Sequence, residues 1–265
     1  MRLYRYRKVN IFLTTEILKD ELYLWSLNQQ NDPNEGRLLF ENNLNKQALF
    51  ESLKNTRNLI NTGKVKWKDW LISEKEKQYY NDIQNSSDSE LGILAEKSLL
   101  RGDYDEKGIQ LIKDRYKKMT DNLVMACFST KKNCPVMFAH YADNHSGVCL
   151  EYEVDIRDFF KVNYVENYPK LQIFNPDQNL IIKNRMLTKH KDWEYESEYR
   201  LILYNRQPGI YTNKRILLKS VYFGINCTEA TRKQIKTIAA QKKDKPKLYS
   251  VNVNDNTFEM QYNTY

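Results

Sequence analysis

The sequence predicts an α+β chain, with a mixed, largely antiparallel β core interrupted by an inserted helical region. Three observations carry that expectation. Apolar and polar residues alternate with period two near both ends, as at residues 3–6 and 148–154. Between them, residues 41–122 carry apolar side chains three and four apart, the repeat of a helix with one buried face. The chain has only 8 glycines and 6 prolines, and neither GxGxxG nor GxxxxGK[ST] occurs in it. That argues against a Rossmann dehydrogenase and a P-loop ATPase. The reading is one domain over 1–265, with 1–40 and 123–265 as the α+β core and 41–122 as the helical insertion.

Each element has a local reason. Residues 3–6 are short and aromatic, as a strand. Thr14 or Thr15 caps a short helix that runs to Asp20, with Ile17 and Leu18 inward. Residues 21–26 extend again, and residues 28–36 are turn chemistry throughout. In the helical stretch, Leu49, Leu53 and Ile60 share a face beside Phe50. Trp67, Trp70 and Leu71 repeat the pattern, followed by Leu91, Leu94, Ala95 and Leu99, then by Ile109, Ile112 and Tyr116; residues 86–89 read as a loop. Residues 123–129 form an apolar run ending in Ser-Thr. A helix is expected over 135–145, with Pro135 in its first turn and Gly147 after its end. Strands are expected at 148–154, 160–165, 198–204, 216–223, 247–253 and 257–262. A helix over 228–241 separates them, and Asn254-Asp255-Asn256 turns the last pair into a hairpin.

Composition bounds the function. Lys and Arg number 42 against 34 Asp and Glu, a formal charge of +8, and 41% of residues are hydrophobic. This excludes a disordered tail, a collagen and a disulfide scaffold. The basic balance suits a nucleic-acid partner as well as it suits a plain soluble surface. Cys127, Cys134, Cys149 and Cys227 form no CxxC pair, so reduced thiols in a cytoplasmic protein are expected. No apolar run is long enough to span a membrane, and no membrane partner is expected.

Three constellations carry candidate chemistry. In an extended chain Glu196, Glu198 and Arg200 point to one face, ahead of the apolar Leu201-Ile202-Leu203. They read either as a catalytic carboxylate with a helper or as a solvent-facing ion pair. Next, Met137-Phe138-Ala139-His140-Tyr141-Ala142-Asp143-Asn144-His145 holds two of the 3 histidines. On a helix His140 would share a face with Asn144, and Tyr141 with His145. A metal reading pairs His140, Asp143 and His145 with Glu196 or Glu198, and a structural histidine is the alternative. Ser129 lacks the nucleophile elbow of an esterase. Last, Leu3, Arg5 and Arg7 share a strand face, where a guanidinium either holds a phosphate or ribose or ends the chain at the surface.

Aligned in order, these pieces resemble the bacterial family called domain of unknown function 2971. The matching pieces are Leu3-Tyr4-Arg5-Tyr6, Asn31-Asp32-Pro33 with Glu35, Cys127-Phe128-Ser129, residues 140–148 and residues 193–200. Their order also resembles the ADP-ribosyltransferase superfamily. Tyr4-Arg5 stands for its first-strand arginine, Phe128-Ser129-Thr130 for its serine element and Glu196-Ser197-Glu198 for its Glu-x-Glu.

That resemblance implies an ADP-ribosyltransferase-like fold and an enzyme that uses NAD, by ADP-ribosyl transfer or NAD glycohydrolysis, as an effector of toxin or phage-defence type. It implies Glu198 at the ribose, Glu196 orienting the acceptor, Arg5 with Tyr4 on the pyrophosphate or adenosine ribose, and Tyr141 stacked on nicotinamide. Ser129 and His140 complete the cofactor site. Asp32 and Glu35 line the same cleft, without an assigned role. The acceptor would be a nucleic acid or a protein. The competing reading is a nucleic-acid-binding or metal-dependent nuclease-type protein without NAD chemistry, using His140, Asp143 and Glu198. A third is a non-catalytic scaffold whose helical insert binds a partner.

Overall fold

A computed structural model describes residues 1–63, 73–118, 120–174, 178–204, 206–212, 215–254, 256–257 and 259–265. The expected pattern at Trp67, Trp70 and Leu71, and Asp255 of the expected turn, lie outside the described residues. In chain order the elements are β1 (Arg2–Arg7), α1 (Ile11–Lys19), β2 (Glu21–Ser26), β3 (Leu39–Glu41), α2 (Lys46–Asn61), α3 (Glu74–Asn85), α4 (Asp88–Leu100) and α5 (Glu106–Lys118). There follow β4 (Val124–Ser129), α6 (Pro135–Tyr141), β5 (Val148–Val154), β6 (Phe159–Lys161), β7 (Asn163–Val165), β8 (Lys170–Gln172), α7 (Gln178–Leu187) and β9 (Thr188–His190). The chain closes with β10 (Glu198–Leu203), β11 (Gly209–Thr212), β12 (Ile216–Phe223), α8 (Glu229–Ala240), β13 (Lys247–Val253) and β14 (Met260–Thr264).

The chain divides into two compact units. One comprises residues 1–36, 121–167 and 186–265; the other comprises residues 37–120 and 168–185. The first is mixed α+β, with a largely antiparallel sheet running β11-β2-β4-β1-β5-β12-β13-β14 and with β10 and β6 continuing from β4. Among the described residues, β12 and β13 are the one parallel pair of that sheet, and β7 and β9 pair parallel in a separate two-stranded sheet. The second unit carries α2 to α5. Its core is Leu49, Leu53, Tyr80, Ile83, Leu91 and Ala95, joined by Ile173 and Phe174. The 168–185 segment enters this unit because β3 pairs with β8 and Tyr116 donates its hydroxyl proton to the Ile173 carbonyl at 2.9 Å. Such long-range pairing left no periodic trace in the sequence.

Local boundaries follow caps. Asn10, rather than Thr14 or Thr15, caps α1 by accepting from the Leu13 amide at 3.0 Å. Ser87 caps α4 in a capping box with Glu90, so residues 88 and 89 are helical, not loop. The helix expected to reach 145 stops at Tyr141, because Asp143, Asn144 and His145 take φ of 50°, 48° and 68°. Consecutive left-handed residues cannot continue a right-handed helix. The last pair forms the expected hairpin, with Val253 opposite Met260, but its second strand spans 260–264 rather than the expected 257–262.

Alternation gives the large sheet two different faces. Leu3, Phe128, Leu150, Tyr152, Val221 and Phe223 pack with Leu13 and Ile17 of α1 and Ile235 and Ala239 of α8. Tyr6, Cys149, Tyr222, Val251 and Met260 pack on the other face with Met137, Phe138 and Ala142, from α6 and just after it. Among the described residues, no helix is long and apolar enough to cross a membrane.

Candidate functional site

Three strands bring distant residues into one row. Glu198 on β10 lies opposite Ser129 on β4, and Ser129 lies opposite Tyr4 on β1. Cross-strand partners share a face, so these three and Arg200 stand on the α6 side of the sheet. Arg5, one residue from Tyr4, necessarily points to the opposite side. There its Nη1 meets Glu16 Oε1 at 2.9 Å and its Nη2 donates to the Tyr23 carbonyl at 3.1 Å. Arg7 Nε reaches Glu16 Oε2 at 3.1 Å, and the Tyr152 hydroxyl donates to Glu16 Oε1 at 2.8 Å. The shared face of Leu3, Arg5 and Arg7 is as expected, but it is a buried ion-pair face. Arg5 is therefore neither beside Glu198 nor at a basic chain surface.

The Glu196–Arg200 segment is not the solvent-facing strand edge that the plainer sequence reading allowed. Glu196 and Glu198 are each 3% exposed and Arg200 is fully buried. Nor is Glu196 in a strand: residues 191–196 form a 3-10 turn, and Ser197 follows with φ of 44°. That left-handed residue reverses the chain locally, and both carboxylates converge on Lys189 of β9. Lys189 Nζ lies 2.6 Å from Glu196 Oε2, 3.0 Å from Glu198 Oε2 and 3.8 Å from Glu35 Oε2. Arg200 grips Glu198 through Nε at 2.8 Å and Nη2 at 3.0 Å, pairs with Glu35, and donates from Nη1 to the Met186 carbonyl at 2.5 Å. Two cations thus face three carboxylates.

This arrangement pushes the carboxyl groups apart in acidity. Burial raises the pKa of Glu35, against the pull of Arg200 and Lys189. Burial likewise raises Glu196, with Lys189 opposing and the Glu198 charge adding. Burial also acts on Glu198, yet Arg200 and Lys189 outweigh it and hold that group below the ordinary carboxylate range. A carboxylate held ionised beside two that favour protonation is a recognisable acid–base pattern.

Partly exposed rings adjoin this buried cluster. Tyr141 donates its hydroxyl proton to Glu196 Oε1 and accepts from Asn31 Nδ2 at 2.9 Å. Burial and the neighbouring Glu196 charge both raise its pKa. His140 is exposed, and its Nδ1 lies 2.8 Å from the Tyr195 hydroxyl. Trp193 and Tyr195 pack together at 6.1 Å between ring centroids, His140 adjoins both, and Lys189 Nζ stands 5.2 Å from the Trp193 ring. Ser129 braces the turn, donating to the Glu196 carbonyl at 2.5 Å and accepting from the Lys131 amide at 3.0 Å. The Glu198 amide donates to the Tyr164 hydroxyl at 2.8 Å.

The structure therefore brings together Glu196, Glu198, Ser129, His140, Tyr141 and Glu35. Tyr4 shares their face but lies toward Glu151 and Cys149, which with burial raise its pKa. Asp32 stays in its own turn, accepting from the Asn34 amide at 2.8 Å. The grouping of His140, Asp143 and His145 fails: His145 stacks on Phe138 at 5.8 Å. Among the described residues, no three or more His, Cys, Asp or Glu side chains are placed to hold a metal ion. Sequence reasoning missed Lys189, in the basic run Lys189-His190-Lys191. Its signal was its place just ahead of an acidic run.

No curated protein and no solved structure matches the chain. Residues 137–201, which include His140, Tyr141, Lys189, Glu196, Glu198 and Arg200, match the model of a family described as protein of unknown function (DUF2971).

Proposed function

We propose that the chain is an enzyme that uses NAD, transferring ADP-ribose or hydrolysing the nicotinamide–ribose bond, on a fold of the ADP-ribosyltransferase type. The observation that carries this reading is the contact of Tyr141 with Glu196, where partly exposed rings adjoin a buried carboxylate of raised pKa. Flat rings suit a nicotinamide or adenine ring. The in-register row of Tyr4, Ser129 and Glu198 across three adjacent strands adds support for the fold type.

In the proposed reaction the bond from ribose C1′ to the pyridinium nitrogen breaks, and its electron pair neutralises that nitrogen. The ribose becomes oxocarbenium-like, and nearby negative charge stabilises it. A water or acceptor hydroxyl then bonds to C1′, and its proton passes to Glu196, whose raised pKa suits a base. Glu198, Lys189 and Arg200 position Glu196, and Ser129 holds its backbone. Arg5 takes no part, since its guanidinium is committed to Glu16.

The test is incubation with NAD while nicotinamide release is followed by chromatography. Release is expected from the native protein, to be lost in Glu196→Gln and cut about tenfold in Tyr141→Phe, the worth of one charge-assisted hydrogen bond. Saturating NAD is expected to raise the melting temperature. Unchanged turnover in Glu196→Gln, or neither release nor a melting shift, refutes the reading.

A further inference from the structure

The α6 face of the large sheet carries a concavity, built by β1, β5, β12 and β13. This groove encloses about 420 Å³ and is lined by Arg2, Lys132, Lys219, Lys245 and Lys247, with Tyr4, Tyr222 and Tyr249 between them. Two acids, Glu151 in the lining and Glu153 beside it, make three contacts there. Glu151 lies 3.4 Å from Arg2 and accepts from the Tyr222 hydroxyl at 2.5 Å, and Lys219 pairs with Glu153 at 2.9 Å. Among the described residues no carboxylate pairs with Lys132, Lys245 or Lys247. The rings are already ordered as a platform. Tyr222 and Tyr249 stack at 5.0 Å and 12°, Tyr262 meets Tyr222 edge-on at 4.8 Å, and Lys132 stands over both Tyr222 and Tyr262.

We infer that this groove binds single-stranded nucleic acid, with backbone phosphates on Lys132, Lys245 and Lys247 and bases against the half-buried rings of Tyr4 and Tyr249, the latter backed by the buried Tyr222. The charge sign fits a polyanion, and the spacing of cations among rings on an open sheet fits a strand whose bases are unpaired. A folded acidic protein would match the charge but would leave the ordered rings without a flat partner. Register explains how the site forms. Lys247 and Tyr249 on β13 pair with Ser220 and Tyr222 on β12, so period-two alternation sets lysine and tyrosine on the same face. The inference stands apart from the reading of the carboxylate site.

Fluorescence anisotropy with labelled 12-nucleotide oligouridylate and oligothymidylate tests it. Binding of one or both is expected, and the better of the two identifies RNA or DNA as the natural strand. Three phosphate contacts give a log–log salt slope of about −2, at roughly −0.7 per contact on a single strand. Lys245→Ala with Lys247→Ala should bring that slope to about −0.7 and weaken binding at least about tenfold. These two exposed side chains can be removed without touching the core, and an unchanged melting temperature confirms that. Tyr249→Leu should weaken binding about tenfold while leaving the slope unchanged, since stacking is not ionic. Absence of binding at low salt, binding equal in the double-lysine variant, or a preference for phosphatidylserine vesicles over both oligonucleotides overturns the inference.

Discussion

Replacing Lys189 by methionine is expected to destabilise the protein by about 3–5 kcal/mol at neutral pH, the usual consequence of removing one partner from a buried ionic cluster. Replacing Glu196 by glutamine should cost only about 1 kcal/mol. The asymmetry comes from charge counting in the site. Lys189 and Arg200 face Glu35, Glu196 and Glu198, so the ionised cluster holds one surplus negative charge. Losing Lys189 raises the surplus to two in a region almost closed to water. Losing the Glu196 charge removes the surplus altogether. Each unit pair at about 3 Å is worth about 5–6 kcal/mol before desolvation at an effective dielectric of about 20, so the net values are small remainders of larger opposed effects.

The pH dependence supplies the discriminating measurement. Burial already holds Glu35 and Glu196 above their ordinary values. Without Lys189 both rise further. A carboxyl whose folded pKa exceeds its unfolded one contributes stability below the unfolded value and loses it as pH rises through the folded one. The Lys189→Met deficit should therefore be largest near about pH 8 and shrink toward about pH 5. Urea unfolding followed by tryptophan fluorescence, on native protein and both variants across that range, measures it. Equal losses in the two variants, or a deficit independent of pH, would refute the surplus-charge argument.

Three further outcomes are expected. Arg5→Met should cost about 1.5–3 kcal/mol, the worth of a hydrogen bond to a charged group, since Glu16 keeps Arg7 and Tyr152, while the KM for NAD stays unchanged; a selective rise in KM would return Arg5 to the substrate. The rate of nicotinamide release should climb with pH through a midpoint above 4.5, because Glu196 must lose its proton before it can accept one; a rate flat with pH would exclude it as the base. Gly224→Ala should lower stability by about 2–3 kcal/mol in thermal melts, since the new Cβ would sit 2.1 Å from the His145 carbonyl oxygen, and backbone cannot yield there as a flexible side chain would.

Much of the sheet was legible along the chain. Residues 216–223 and 247–253 form strands with the expected bounds. In the insertion α2, α4 and α5 were likewise visible through their apolar spacing, whereas α3 and the Ser-x-x-Glu caps of α3 and α4 were not read. The short β3, β8 and β9 were not: each has three residues, too few for a period to register.

The local sequence was thus sufficient to mark Glu196, Glu198 and Tyr141 as unusual and to put Arg5 and Arg7 on one strand face. It left open which face of the sheet that was. Only tertiary structure decided it, because cross-strand register aligns Tyr4, Ser129 and Glu198 and turns Arg5 toward Glu16 on α1. Tertiary structure also recruited Lys189 and Glu35 to the carboxylates. Alternation and helical spacing act over a few residues, whereas a buried charge finds its counter-charge in three dimensions, at any separation along the chain.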